Sequence, residues 1–294
     1  MFGRSFMIGY ISKEPITKGW SADRKYCIKD LLGHRYLLRV SPKAQFDRKK
    51  VEYDLMSRAA ALEVPMCKPL DFGVSDEGVY SIQSWVDGRD AESVIPFLPE
   101  TEQYAYGIES GRILSIIHSI PAPETQEDWE TGFNRKLDRK IAMYVDCPIK
   151  YECGQTFIDF INENRYLLKD RPQVYQHGDY HIGNMMIGSN KRLYIIDFNR
   201  SDFGDPWEEF NRIVWCAQKS PLFASGMVNG YFDNNVPEEF WNLLALYICG
   251  NTLSSLPWAI PFGQAETETM INQACEVLTW YDNMKNTVPS WYSL

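Results

Sequence analysis

Alternating and periodic apolar positions divide the chain into a strand-rich first part and a helix-rich remainder. Residues 26–29 and 35–40 flank Leu32-Gly33-His34 and predict a strand pair. Residues 47–63 place Val51, Leu55, Met56, Ala59 and Leu62 on one face, the spacing of an amphipathic helix. Leu70-Asp71-Phe72-Gly73 and residues 79–85 predict two further strands. After Val86-Asp87-Gly88 the spacing turns helical, with helices expected over 102–119, 134–145 and 156–168. A short strand over 173–176 precedes His177, and further helices are expected over 207–219, 238–253 and 266–286. Between them, apolar-rich runs 184–187 and 193–198 flank Gly188-Ser189-Asn190-Lys191 and predict a hairpin.

That hairpin follows the segment His-Gly-Asp-Tyr-His-Ile-Gly-Asn, which runs from His177 to Asn184. A turn centred between Asn190 and Lys191 sets Asn184 opposite Asp197. Directly opposed side chains lie about 5 Å apart at Cβ, so an amide and a carboxylate there can share one hard cation. Mg²⁺ prefers such oxygen ligands and keeps water or phosphate in the rest of its shell. Asp179, in the preceding loop, is left to orient a substrate hydroxyl and accept its proton. This division of labour suits transfer of a γ-phosphoryl group, which depends on positioning and charge neutralisation. One such Asp alone is an ordinary turn residue; the constellation is more specific.

The segment His177-Gly178-Asp179 … Asn184, followed by Ile196-Asp197-Phe198, resembles the catalytic and metal-binding core of the aminoglycoside phosphotransferase and choline kinase-like family. These relatives of protein kinases phosphorylate small-molecule hydroxyls. Gly178 replaces the Arg of the kinase His-Arg-Asp signature, and Asn199 replaces the last Gly of Asp-Phe-Gly. The resemblance implies an α+β, bilobal protein kinase-like fold with a small N-terminal antiparallel β-sheet lobe and a larger, mainly helical C-terminal lobe. It divides the chain into a nucleotide-binding lobe over 1–86, a connector near 83–88, and a catalytic and substrate-binding lobe over 87–294.

Further roles follow from the same resemblance. Arg39, in an apolar strand, would take the place of the usual strand Lys, as in the choline-kinase branch, and grip nucleotide phosphates together with Glu52. Gln83-Ser84-Trp85 would be the connector, with its backbone on the nucleobase and Trp85 against the adenine slot. Upstream, Lys18-Gly19-Trp20-Ser21 would cover the phosphates with backbone amides, with Ser21 among them. His177 would brace the catalytic loop, and His118 would pack within the second lobe. Gly204-Asp205-Pro206-Trp207-Glu208-Glu209 resembles the family's Gly-Asp-Pro-x-x-Asp, with Glu209 in the bracing position. Asp205 also reads as a helix N-cap before Pro206.

Composition narrows the partners. In a chain of 294 residues and net charge −9, residues 1–84 carry 14 Lys/Arg against 10 Asp/Glu, whereas residues 200–294 carry 4 against 11. A mildly basic first part suits phosphates, and the absence of a basic stripe argues against nucleic acid. Apolar runs fall short of a membrane span, and seven scattered cysteines without a Cys-x-x-Cys pair suit a reducing, cytoplasmic setting. The expected cofactors are Mg²⁺ and ATP or GTP as phosphoryl donor. Aromatics and acids in the last third suit a cationic acceptor. An aminoglycoside-type antibiotic is the leading expectation, a metabolite kinase for choline, an amino acid or a modified sugar the alternative. A catalytically silent nucleotide-binding module is disfavoured by the presence of Asp179, Asn184 and Asp197.

Overall fold

The computed structural model describes residues 8–17 and 23–293. In chain order the first part forms β1 (Ser12–Ile16), β2 (Arg24–Lys29), β3 (Arg35–Ser41), α1 (Phe46–Ala61), β4 (Pro69–Ser75), β5 (Gly78–Ser84) and β6 (Gly88–Asp90). Next come α2 (Ala91–Val94), α3 (Glu100–Ile117), α4 (Trp129–Val145), α5 (Gly154–Asn164), β7 (Val174–Gln176), β8 (Met185–Gly188), β9 (Leu193–Ile195) and β10 (Asp202–Gly204). The last part is helical: α6 (Ile213–Lys219), α7 (Pro221–Tyr231), α8 (Glu238–Ala259) and α9 (Gln264–Trp280). Two units result, Met1–Ala91 with Asn184–Ser201 and Glu92–Gly183 with Asp202–Leu294.

The first unit is built on an antiparallel sheet of order β1-β2-β3-β5-β4. Alternate residues Ile28, Leu38, Val40, Tyr80 and Ile82 bury together on one face, and Tyr26 and Tyr36 pack against them. β1 was not expected from the sequence, because Pro15 interrupts a polar run. The structure places β1 at the sheet edge, where among the described residues it pairs only with β2 and a missing N–H is tolerated. A second sheet, of order β6-β8-β9, joins the same unit. Ile195 bridges Met66, its N–H donates to Pro65 O at 2.9 Å, and its carbonyl accepts from Cys67 N at 3.2 Å. These bonds draw 184–201 into the first unit. The compact first unit reaches Ala91 and includes the hairpin, whereas the division expected from the sequence lay at 86.

The hairpin register also differs from expectation by one residue. Met185 pairs with Ile195 and Ile187 with Leu193. Gly188 N donates to Arg192 O and Lys191 N to Gly188 O, both at 2.9 Å, and Lys191 has φ 62°. The loop is therefore a three-residue turn closing on a left-handed residue, not an even-numbered one. Ile196, rather than Asp197, faces Asn184, and its N–H donates to Asn184 O at 3.0 Å. A one-residue slip inverts side-chain direction along a regular strand. Asp197 escapes that rule because its own backbone leaves the strand at φ 69°.

The second unit is a helical assembly in which α8 is the central element. Phe240, Leu243, Leu244, Leu246, Tyr247, Ile248, Leu253 and Leu256 of α8 are all buried. By length and composition α8 is apolar enough to cross a membrane, but most of it is buried inside the unit. β7 pairs with β10 and carries the chain into His177. The helix expected over 207–219 is a 3₁₀ turn at Glu208–Arg212 followed by α6. α7 was not expected, since Ser-Gly and Asn-Gly pairs ordinarily break helices. It forms because it packs closely against α3: a Cβ on Gly107 would stand 2.2 Å from Phe223 O, and one on Gly226 2.4 Å from Tyr104 O. Ser220 caps α7, accepting from Phe223 N at 3.0 Å, and Pro221 occupies its first turn.

Candidate active site

Within the first unit, a cleft of about 30 Å³ is lined by Asp23, Arg39, Ser41, Lys49, Glu52, Gln83, Phe198 and Asn199 together with apolar and aromatic residues of α1, β4 and β5. Arg39 projects from β3 and is 5% exposed. Its Nη1 donates to Asp197 Oδ1 at 2.6 Å, and its Nε lies 3.4 Å from Asp23 Oδ2. Asn199, with its amide oriented to satisfy both neighbours, accepts from Arg39 Nη2 at 3.1 Å and donates to Asp197 O at 3.2 Å. Asp197 Oδ1 is thus engaged, while the side chain remains 32% exposed.

Glu52 is paired differently from expectation. It accepts from Lys49 Nζ at 2.8 Å and from Arg48 Nε at 2.9 Å, whereas Arg39 turns to the two aspartates. One turn of α1 separates Lys49 from Glu52, so the helix supplies its own cation. Lys49 also reaches Asp23 at 3.0 Å, and Ser41 Oγ donates to Asp23 Oδ1 at 2.7 Å. Burial opposes ionisation of Asp23, but hydrogen bonds from Ser41 and Lys49 and the charges of Lys49 and Arg39 hold its carboxyl below the usual range.

Gln83 is inside β5, opposite Leu37 and Pro69, and not in a connector. Its side chain is 7% exposed, and Oε1 has no hydrogen-bond partner among the described residues. The following Ser84 N–H is taken by Lys68 O at 2.8 Å. Trp85 comes after the strand, with the Arg35 guanidinium 5.4 Å from its ring centroid, and is not among the described residues lining the cleft. Ser21 lies outside the described residues.

The second unit holds the loop that carries Asp179. Gly178 takes φ 82°, and its N–H donates to Glu209 Oε1 at 3.0 Å; Tyr180 N–H reaches the same oxygen at 3.3 Å. His177 is fully buried, and its Nδ1 accepts from Asp179 N at 3.2 Å. Tyr180 is anchored below by its hydroxyl on Ser110 O at 2.8 Å. Glu209 and His177 therefore hold consecutive turns of one loop. His118 belongs to the same support, with Nδ1 2.9 Å from the Tyr231 hydroxyl and Nε2 3.8 Å from Glu209.

Around this loop stand further charged groups. Arg212 Nε lies 3.4 Å from Asp179 Oδ1, and His181 Nε2 lies 3.8 Å from it. Asp205, fully buried, accepts from Arg171 Nε at 2.6 Å, the Tyr247 hydroxyl at 2.6 Å and Trp207 N at 2.9 Å. The expected helix N-cap is not formed, since the 3₁₀ turn begins at Glu208 with Trp207 as its N-cap; Asp205 instead accepts from Trp207 N just ahead of that turn and ties β10 to α8. Asp23, Lys49 and Arg212 had no local motif to mark them; a cation one turn before Glu52 was the only available signal.

An antiparallel sheet unit with a buried cation on an Asp, joined in sequence to a helical unit with a braced Asp loop, defines a kinase-like phosphotransferase. A model of the phosphotransferase enzyme family matches residues 13–241, and the chain belongs to that family. Among solved structures, it is similar to a thermostable mutant of aminoglycoside phosphotransferase APH(4)-Ia in ternary complex with ADP and hygromycin B, at 18% identity and TM-score 0.67, covering 92% of this chain and 94% of that one. A choline/ethanolamine kinase family protein from Mesorhizobium loti is similar at 14% identity and TM-score 0.69, over 95% of this chain and 92% of that one. An aminoglycoside phosphotransferase from Alicyclobacillus acidocaldarius gives 11% identity and TM-score 0.63, over 96% and 92%. No curated protein matches the sequence significantly.

Proposed function

We propose that the chain transfers the γ-phosphoryl group of ATP or GTP to a hydroxyl of a small molecule, with Mg²⁺ as cofactor. The observation that carries this reading is the grip of Arg39 on Asp197 beside Lys49, Ser41 and Asp23. Donors that converge on the Asp23 carboxylate are the donors a phosphate would recruit. Asp197 and Asn184 are hard oxygen ligands of the kind Mg²⁺ takes, and Asp197 is accessible with one oxygen engaged by Arg39. Bound there, Mg²⁺ would neutralise charge on the β- and γ-phosphates. Arg39 holds Asp197 in place, and Asn199 holds both.

Asp179 orients the acceptor hydroxyl and takes its proton. Glu209 and His177 keep the loop from relaxing, so the carboxylate is presented without a conformational search. Binding of an aminoglycoside by one neighbour motivates an antibiotic acceptor as the first reading. A metabolite acceptor is the second, favoured by the Arg212 guanidinium 3.4 Å from Asp179, which a polycationic acceptor would have to approach. A cytoplasmic setting is supported by seven free cysteines, five of them buried.

The test is turnover of ATP and GTP with Mg²⁺ across a panel of alcohols, comparing the parent with Asp179→Asn. Turnover should fall by several orders of magnitude, with nucleotide affinity nearly unchanged. Full activity in that variant removes the mechanism, and absence of any transfer by a parent that binds nucleotide favours a silent module.

A further inference from the structure

Three donors of the first unit converge on one carboxylate. Ser41 Oγ donates to Asp23 Oδ1 at 2.7 Å, Lys49 Nζ donates to Asp23 Oδ2 at 3.0 Å, and Arg39 Nε stands 3.4 Å from that same Oδ2. Ser41 and Arg39 come from β3 and Lys49 from α1, and all of them, with Asp23, line the cleft that holds Phe198 and Asn199. The side chains are held away from solvent: 5% of Asp23, 6% of Arg39 and 13% of Lys49 is exposed. Glu52, one turn along α1, accepts from Lys49 Nζ at 2.8 Å and fixes the ammonium in the cleft.

A carboxylate and a phosphate edge make the same demand on such donors. Ser41 has a single hydroxyl proton, and Asp23 holds it, so a phosphate receives that bond only when Asp23 gives it up. Among the described residues lining the cleft, Asp23 and Glu52 balance Arg39 and Lys49. A phosphate entering with Asp23 in place therefore finds no surplus cation, and with Asp23 withdrawn it finds one. Asp23 is placed to leave. It stands just ahead of β2, whose first ladder pair is Arg24 with Val40, so its withdrawal breaks no pairing of the sheet.

Resting on the reading of this cleft as the nucleotide site, we propose that Ser41 and Lys49 bind the nucleotide's phosphates together with Arg39, and that Asp23 fills their cradle in the free protein and yields it to the nucleotide. Lys49 is then a second phosphate cation, delivered by α1 and not by the sheet. Asp23 is a built-in competitor, and it lowers apparent affinity by the fraction of molecules whose cradle it occupies.

Calorimetric titration of the full-length chain with ATP, inorganic pyrophosphate and adenosine, at constant ionic strength, tests this. Asp23→Asn keeps the shape and an acceptor for Ser41 but drops the charge, and it should bind ATP and pyrophosphate about tenfold tighter than the parent. Lys49→Gln should weaken both by about tenfold, the scale of one charge-assisted hydrogen bond. Lys49→Arg should restore most of that loss. Adenosine, which has no phosphate, should bind every variant as it binds the parent. ATP affinity unchanged or weakened in Asp23→Asn makes Asp23 an anchor for the start of β2 and overturns the proposal. So does ATP affinity unchanged in Lys49→Gln, or an equal loss of adenosine binding, which assigns Lys49 to the fold of the cleft. A parent that binds ATP no differently from its variants loses only the cradle. A parent that binds neither ATP nor adenosine loses the nucleotide site itself, and the cradle with it.

Discussion

Arg39 Nη1 lies 2.6 Å from Asp197 Oδ1, while the same guanidinium stands 3.4 Å from Asp23. One buried cation thereby fixes the end of the β8–β9 hairpin to the central strand of the first unit's sheet. The pair is separated by 158 residues in sequence, so it constrains the fold as much as the chemistry.

Arg39→Ala should be severely destabilising. It leaves Asp23 and Asp197 near each other with one cation fewer, and breaking a buried pair on one side costs about 3–5 kcal/mol. Arg39→Lys should recover part of that loss, because an ammonium keeps the charge but cannot reach both acids as a fork does. Urea unfolding of the three proteins measures the order.

Glu209 is the acceptor for two backbone N–H groups of the Asp179 loop. Glu209→Ala should lower stability by about 1–3 kcal/mol, the cost of leaving buried donors unmet. It should also lower kcat far more than it alters nucleotide affinity. Glu209→Gln keeps an acceptor oxygen and should retain most of the stability, a contrast read from paired unfolding and steady-state kinetics.

Gln83 offers a different signature. Its Oε1 is buried without a partner in the first-unit cleft. Gln83→Leu should leave the stability of the free protein within about 1 kcal/mol of the parent or raise it, since the substitution removes an unmet acceptor. If this oxygen meets the nucleotide, the same substitution weakens ATP binding in calorimetry; unchanged affinity assigns Gln83 to packing alone.

Stability should respond to pH on both sides of neutrality. Lys140 holds its proton less tightly when folded, to about 7, than its ordinary 10.5. Between those values the unfolded chain binds more protons, so this group's contribution makes stability rise with pH. Lys140→Met should stabilise the protein more at pH 6 than at pH 9. On the acid side, the carboxyls of Asp23 and Glu208 are held below their ordinary 3.8 and 4.5. For Glu208 burial works against ionisation, and the nearby Lys136 and Lys140 outweigh it. Their contribution is complete above those ordinary values and is lost as pH falls through the folded ones. Unfolding midpoints from pH 3 to 9 check both limbs.

What the sequence determined by itself was local. The 21 residues from His177 to Asp197 contain Asp179, Asn184 and Asp197, and short-range spacing suffices to mark them as candidates. Helical periodicity located α1, α3, α8 and α9 for the same reason: each buries a face whose phase is written in its own residues.

Tertiary structure decided whatever depends on partners distant in the chain. It chose Lys49 over Arg39 for Glu52, and it gave Arg39 to Asp197. It turned a Gly-rich stretch into α7, because only glycines let that helix approach α3 so closely. It shifted the hairpin by one residue through the left-handed backbone at Lys191, and it placed Arg212 beside Asp179. Such choices rest on long-range contacts and on strained single residues, and neither leaves a periodic trace in the order of amino acids.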